Sequence, residues 1–448
     1  MSFFQTLKNI WTLKELRERL AVTFLLVLVY RLGCYIVLPG IAPSDLDALA
    51  NFTNRSGLMQ LLDMFSGGAF SQASIFALGI MPYITASIVI QLLGMVLPSF
   101  QKMQRDGESG RQRLNQYTRY LTVLILLLQG PAYLWNLSVQ VQSAGGNAQM
   151  TYWTIIYLTI ILAAGSMFIM WLGERITDKG VGNGISFIIL VGIIARLPQA
   201  LRFEFVSRLP GADGSQGGLV MFLVEIIVLF AVIAGAVLLV QGTRKVPVQY
   251  AKRIVGNKQY GGARQYIPLK VNAAGVMPII FAQAIMFIPV TLVGFNASES
   301  NSFVRAFSDI NGFWYNAVYF IMIVAFTYFY TAITVRPTEM AENLKRNNGF
   351  IPGVKPGSKT ADYLDSIMSR ITFPGSLFLG LVAIMPAFAK ICGVNQQFAQ
   401  FFGGTSLLIL VGVVLDTLQQ IESHLMMRHY DGLLKSGKIK GRTTGAAY

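Results

Sequence analysis

Cysteine occurs twice in the 448 residues, as Cys34 and Cys392, and both lie in apolar stretches. Two such thiols supply no disulfide framework and read as small buried hydrophobes. Histidine also occurs twice, as His424 and His429, both close to the C-terminal end. No Cys/His spacing suits a metal, no nucleophile sits with a base, and no glycine loop is built to cradle phosphate. These gaps argue against a metalloenzyme, a hydrolase and a nucleotide-driven motor. Charge of either sign is scarce: 13% of residues are charged, against about 25% in an ordinary soluble protein. Acid is the scarcer sign, with 21 Asp and Glu against 36 Lys and Arg, for a net charge of +15. From Tyr120 to Gly173 there is no charged side chain at all. Such a run cannot be a wet surface, and it has room for two membrane crossings at about 20 residues each. A transmembrane barrel would show short alternating segments instead.

What is present is long apolar helix. Hydropathy and charge-free length predict ten crossings, near 20–41, 72–97, 118–139, 151–172, 183–202, 217–241, 273–295, 313–335, 372–392 and 403–423. The fold class is therefore an all-α polytopic membrane protein. The N-terminal MSFFQTLKNIWTLKELRERL is amphipathic rather than a cleavable signal, so the first crossing is expected to direct insertion itself. Of the 36 Lys and Arg, 29 fall in the N-terminal segment, the loops after even-numbered spans and the C-terminal tail. The positive-inside rule then places both termini in the cytoplasm. Five spans per half force the halves into opposite orientation, the arrangement of an inverted repeat with a path at its interface. The break falls near 203–216, giving halves 1–205 and 206–448. No internal sequence repeat is evident at this stage. Helix breakers suggest a cavity: Pro82 is expected to interrupt the second span, Pro278 and Pro289 the seventh, and Pro374 and Pro386 lie in the ninth.

Several local features stand apart. SGLMQLLDMFSGGAF at 56–70 is apolar but too short to span, and Gly67 and Gly68 break it. It reads either as a re-entrant segment or as a helix in an outer loop. The loop after span six, RKVPVQYAKRIVGNKQYGGARQYIPLK at 244–270, holds seven Lys and Arg and no acid. Alternation at Val246, Val248 and Tyr250, the glycines at 256, 261 and 262, and the run Gln265–Leu269 predict a β-hairpin. A protruding basic hairpin suits docking onto an anionic partner, or attraction to anionic lipid. The intramembrane charges Arg31, Glu225 and Asp416 are not clustered as a proton path requires. They read as buried structural partners or snorkelling groups. Ile80 and Ile84 are one turn apart in span two, as are Ile185 and Ile189 in span five, and Ile280 and Ile409 stand in spans seven and ten. Isoleucine is so common in such helices that these positions carry no weight alone.

SIFALGIMPYITASIVIQLL (74–93) and MWLGERITDKGVGNGIS (170–186) resemble two signature segments of the SecY family, the channel subunits of the bacterial Sec protein translocase. LKVNAAGVMP (269–278), NGFIPGVKPG (348–357) and GGTSLLILVGVV (403–414) resemble further blocks of that family, in order along the chain. The resemblance implies a clamshell of two five-helix halves. It implies a pore ring at Ile80, Ile84, Ile185, Ile189, Ile280 and Ile409. It implies a re-entrant plug helix near 57–68, including Leu58, Leu61, Leu62, Met64, Phe65 and Gly67. Spans two and three would face spans seven and eight as a lateral gate, with Gln91, Thr122, Gln129, Asn272 and Gln283 as polar contacts. The loops 242–272 and 336–371 would dock the ribosome, through its RNA, or the SecA motor. Arg244, Lys245, Lys252, Arg253, Lys258, Arg264 and Lys355 are the implied contacts. Lys355 departs from the arginine common in the family and loses its planar fork. The implied partners are SecE and SecG in a heterotrimer, SecA, the ribosome, SecDF, YidC, signal sequences, nascent chains and lipid. No cofactor is implied, and the site is a bacterial inner membrane. An ion-coupled solute transporter would need a polar midplane site, where only isolated charges are seen, and a membrane enzyme would need a catalytic constellation, which the sequence does not show.

Overall fold

The computed structural model describes residues 14–41, 63–143, 151–209, 218–250, 253–255, 258–260, 264–294 and 312–435. In chain order the helices are α1 (Lys14–Gly33), α2 (Met81–Val96), α3 (Pro98–Arg105), α4 (Gly107–Ser143), α5 (Tyr152–Lys179), α6 (Gly184–Ser207), α7 (Gly218–Gln241), α8 (Met277–Gly294), α9 (Phe313–Thr334), α10 (Pro337–Arg346), α11 (Ser358–Ile391), α12 (Gln396–Ala399) and α13 (Gly404–Lys435). Five strands lie outside the apolar spans: β1 (Thr243–Tyr250), β2 (Arg253–Val255), β3 (Lys258–Tyr260), β4 (Arg264–Lys270) and β5 (Gly349–Phe350). Each of the ten expected crossings holds a helix. Among the described residues seven helical segments are long and apolar enough to cross a membrane, and eight if α2 and α3 form one bent span. Apolar side chains face outward: Phe24 on α1 and Val220, Phe230 and Leu238 on α7 are each more than two thirds exposed, which only lipid makes tolerable.

Two spans begin differently from their sequence expectation. The first helix starts at Lys14 and stops at Gly33 rather than running to residue 41. The chain then extends, and the Val37–Ser74 bridge is flanked by hydrogen bonds from Leu38 N to Ala73 O and Ile75 N to Ile36 O, both 2.9 Å. Residues 66–80 are turns, not helix, and Pro82 opens α2 instead of interrupting it. Pro278 likewise stands second in α8. In the first turn of a helix a proline loses no hydrogen bond, which is why both helices start there. Pro289 in α8, and Pro374 and Pro386 in α11, are accommodated inside continuous helices. The two openings are one motif: Gly79-Ile80-Met81-Pro82-Tyr83-Ile84 and Gly275-Val276-Met277-Pro278-Ile279-Ile280. Gly79 at φ 55° and Gly275 at φ 64° make the same left-handed turn into the helix.

The chain divides into two compact units, Met1–Arg196 with Val413–Tyr448, and Leu197–Gly412. In the first, α2 and α5 pack on α4, and α1 packs on α5. A core of Leu38, Phe70, Ala77, Leu134, Leu158 and Leu162 fixes the turn segment 66–80 against α4 and α5. In the second, α9 packs on α8 and α11. There a buried ionic cluster staples the end of α6 to α7: Arg208 pairs with Glu204 at 3.0 Å and with Glu225 at 2.6 Å. Arg208 also donates to Gly393 O at 2.8 Å, and Glu204 accepts from Asn395 N at 2.9 Å. Glu225 is thus a structural partner, and Arg208 is a core residue rather than a loop charge. Asp416 is exposed and accepts from Gln420 at 3.4 Å.

Candidate pore, plug and docking surface

Each unit supplies part of the isoleucine set. In the first, Ile84 lies one turn after Ile80, its N–H bonded to the Ile80 carbonyl at 3.1 Å. Ile185 and Ile189 lie one turn apart on α6. In the second, Ile280 stands one turn after Val276. Gly412, three residues beyond Ile409 on the same face of α13, comes so near Val276 that an added Cβ would be 3.2 Å from its side chain. Ile409 and the start of α8 therefore share a neighbourhood. Ile80, Ile189 and Ile409 are buried, and Ile84, Ile185 and Ile280 are half-buried. None of the six is exposed, although Ile156, Ile160, Ile227 and Ile321 on the same kinds of helix are.

The segment from Asp63 is a compact, buried turn. Met64 and Phe65 are buried; Leu58, Leu61 and Leu62 lie outside the described residues. Ser66 bonds its own loop, donating to Asp63 O at 3.1 Å and accepting from Phe70 N at 3.0 Å. Four side chains from other elements hold the loop. Tyr30 donates to the Ser66 carbonyl at 3.2 Å, Arg31 to the Gly67 carbonyl at 2.8 Å, and Tyr133 to the Phe70 carbonyl at 3.1 Å. Arg196 forms an ion pair with Asp63 and donates to Ser71 Oγ at 2.8 Å. The loop touches the segments that carry isoleucines: Gly67 faces the backbone of Gly192, one turn beyond Ile189, and Gly79, beside Ile80, faces Ser66. Arg31 therefore has a defined role, and Arg196, which the sequence reading did not single out, sits inside the fold. The signal for it was in the sequence as spacing: Ile185, Ile189, Gly192 and Arg196 fall on one helical face.

The polar gate candidates lie on the expected helices. Gln91 on α2 donates to Ser87 at 3.3 Å, and Thr122 on α4 is buried with its hydroxyl given to the Thr118 carbonyl at 2.7 Å. Gln129 on α4 and Gln283 on α8 are half-buried. Asn272 is buried just before α8, and its side-chain oxygen has no partner.

The predicted hairpin forms. β1 and β4 pair antiparallel from Thr243 opposite Lys270 to Gln249 opposite Arg264. A third strand was not expected: β5 pairs Phe350 with Gln249 and Gly349 with Tyr250, giving the order β4-β1-β5. The two loops are thus one folded body, with a core of Val246, Val248, Leu269, Leu344, Ile351, Leu364 and Met368. Opposed residues share a sheet face, so Lys245, Lys270, Arg264 and Tyr266 stand on the face away from that core, and all are exposed. Arg244 is exposed on the core-side face, at its edge. Lys355 is exposed between Gly353 and Gly357, its carbonyl bound by the Thr360 hydroxyl at 2.9 Å. Lys252 lies outside the described residues, whereas Arg253 and Lys258 occupy β2 and β3. The hairpin register also places exposed Lys270 beside these cations, opposite Thr243.

A family model described as SecY matches residues 74–418. The protein translocase subunit SecY of Streptomyces griseus is 42% identical over 439 residues, covering 94% of this chain and 97% of that one. The Thermotoga maritima protein of that name is 40% identical over 448 residues, covering 98% of this chain and 100% of its own. Among solved structures, one titled as a protein conducting channel covers 96% of this chain and 95% of its own at 16% identity, with a TM-score of 0.56. Sec61 in a canine ribosome-channel complex covers the same shares at 16% identity and a TM-score of 0.52. At such identity the structures speak for the fold, and the fold is theirs. Fold and sequence agree: the chain belongs to the SecY family of protein translocase subunits.

Proposed function

We propose that the six isoleucines form a deformable apolar collar through which unfolded polypeptide passes, with the 57–68 segment as its plug. One observation carries this reading: all six are withdrawn from the exposed surface, and the buried 63–71 loop lies against the segments bearing Ile189 and Ile80. An apolar constriction excludes water and ions by dewetting. It also offers a threaded chain no hydrogen bond that would hold it. Each isoleucine removed from water contributes roughly 1.5–3 kcal/mol, and a translocating side chain replaces that contact with its own. Spans two and three open against spans seven and eight, and an apolar segment of about 20 residues leaves sideways into lipid. Asn272, buried with an idle amide oxygen, supports a polar contact at that seam.

The chain has ten spans in two inverted halves, 1–205 and 206–448, with both termini in the cytoplasm of a bacterial inner membrane. The Gly-x-Met-Pro-x-Ile motif at the start of spans two and seven supports the repeat. Exposed Trp135, Trp153 and Trp314 lie beside the loops poor in Lys and Arg, as an outer aromatic belt requires. The basic sheet face and the turn at Lys355 receive ribosomal RNA or SecA, and SecE and SecG complete the heterotrimer. Replacing Ile80 or Ile280 with Asn tests the collar. Precursors with defective signal sequences should then be exported; export as selective as in the parent channel overturns the assignment.

A further inference from the structure

We infer that Arg196 is a positioning residue for gating: its ion pair with Asp63 and its bond to Ser71 latch the plug loop closed. The inference rests on the plug reading above. One face of α6 carries Ile185, Ile189, Gly192 and Arg196 in outward order. The first two belong to the proposed collar. Gly192 then leaves a gap into which the loop backbone fits: a Cβ on it would meet Gly67 N at 3.2 Å and Phe65 O at 3.3 Å. Seven residues beyond Ile189, at about 1.5 Å per residue, Arg196 stands roughly 10 Å further along the helix. From there it reaches over the seated loop, lying 3.2 Å from where a Cβ on Gly68 would be.

The charges make this a latch rather than a packing contact. The Asp63 side chain is 4% exposed and that of Arg196 is 20% exposed. A carboxylate buried so deeply needs a cation beside it. Asp63 also accepts from Ser71 N at 2.8 Å, so one carboxylate closes both the loop and its tie to α6. Among the described residues Arg31 bonds the loop at the Gly67 carbonyl, a weaker hold that leaves the acid unneutralised. When the loop departs, both Asp63 and Arg196 regain solvent, so the pair favours the seated state and adds nothing to the open one.

The test uses the full complex in planar bilayers and in cells. Asp63→Asn and Arg196→Gln should each raise resting ion conductance about tenfold, the equilibrium shift of a lost coupling near 1.4 kcal/mol. Both should admit signal-defective precursors, a gain that a misfolded channel cannot give. The double variant should be no leakier than either single one, because both changes remove one interaction. Parent-like conductance in both single variants, or additive effects in the double, overturns the latch. Deletion of 58–66 separates the two readings. A leaky deletion beside tight Arg196→Gln and Asp63→Asn refutes the latch alone, whereas a tight deletion refutes the plug.

Discussion

Gly67 shows how little freedom the closed loop has. Its φ of 67° lies where side chains are strained, and a Cβ there would fall 3.0 Å from Gly192 Cα and 3.1 Å from Arg31. Gly67→Ala should therefore unseat the loop and leave α6 intact, giving a leaky channel that still assembles; a tight Gly67→Ala channel would contradict the close approach. Arg208 makes the opposite kind of residue-scale claim. It neutralises two buried acids, and removing one partner of such a set costs about 3–5 kcal/mol. Arg208→Met should lower the thermal stability of the purified complex, while Arg336→Met, at an exposed residue paired with Glu339, should not. Single residues were unevenly legible in the sequence. The six isoleucines were marked by motifs, not by composition, and all six are buried or half-buried. Arg196 was not singled out, because hydropathy sees only a charge near a span end, and its ion pair with Asp63 joins residues far apart in sequence.

At the scale of elements, local pattern was a good guide and pairing was not. Alternation at Val246, Val248 and Tyr250 gave β1, and the glycines gave the return to β4. Nothing nearby in sequence announces that Gly349 and Phe350 extend that sheet, since the pairing spans two membrane crossings. Prolines misled for a related reason: Pro82 in an apolar run looks like a break, yet it is a helix start once residues 66–80 are turns. The shared core of the two loops yields a prediction free of charge effects. Leu364 is 1% exposed in that core, and Leu364→Ala should cost about 2–5 kcal/mol of local stability. Ribosome binding should fall although no basic residue is changed; unaltered binding would mean that the loops act separately. Reversing Arg264 and Lys270 to Glu should abolish binding and flatten its salt dependence, with the complex still assembled. A salt profile like that of the parent would remove the outer sheet face from the docking surface.

For the whole molecule, the proposed closure is the sum of two devices, an apolar collar and a charged latch on the plug loop. Two halves are the reading from span number, and the Gly-x-Met-Pro-x-Ile repeat supports it: both glycines are left-handed and both prolines open helices. The collar is the claim on which the rest depends, and resting conductance in the plug-deleted complex tests it most directly, because the collar is then the remaining barrier. Changing Ile80, Ile84, Ile185, Ile189, Ile280 and Ile409 to Ser should raise that conductance well above the same change at exposed Ile156, Ile160, Ile194, Ile227, Ile321 and Ile391. Equal conductance in the two sets would contradict an apolar seal at these six positions.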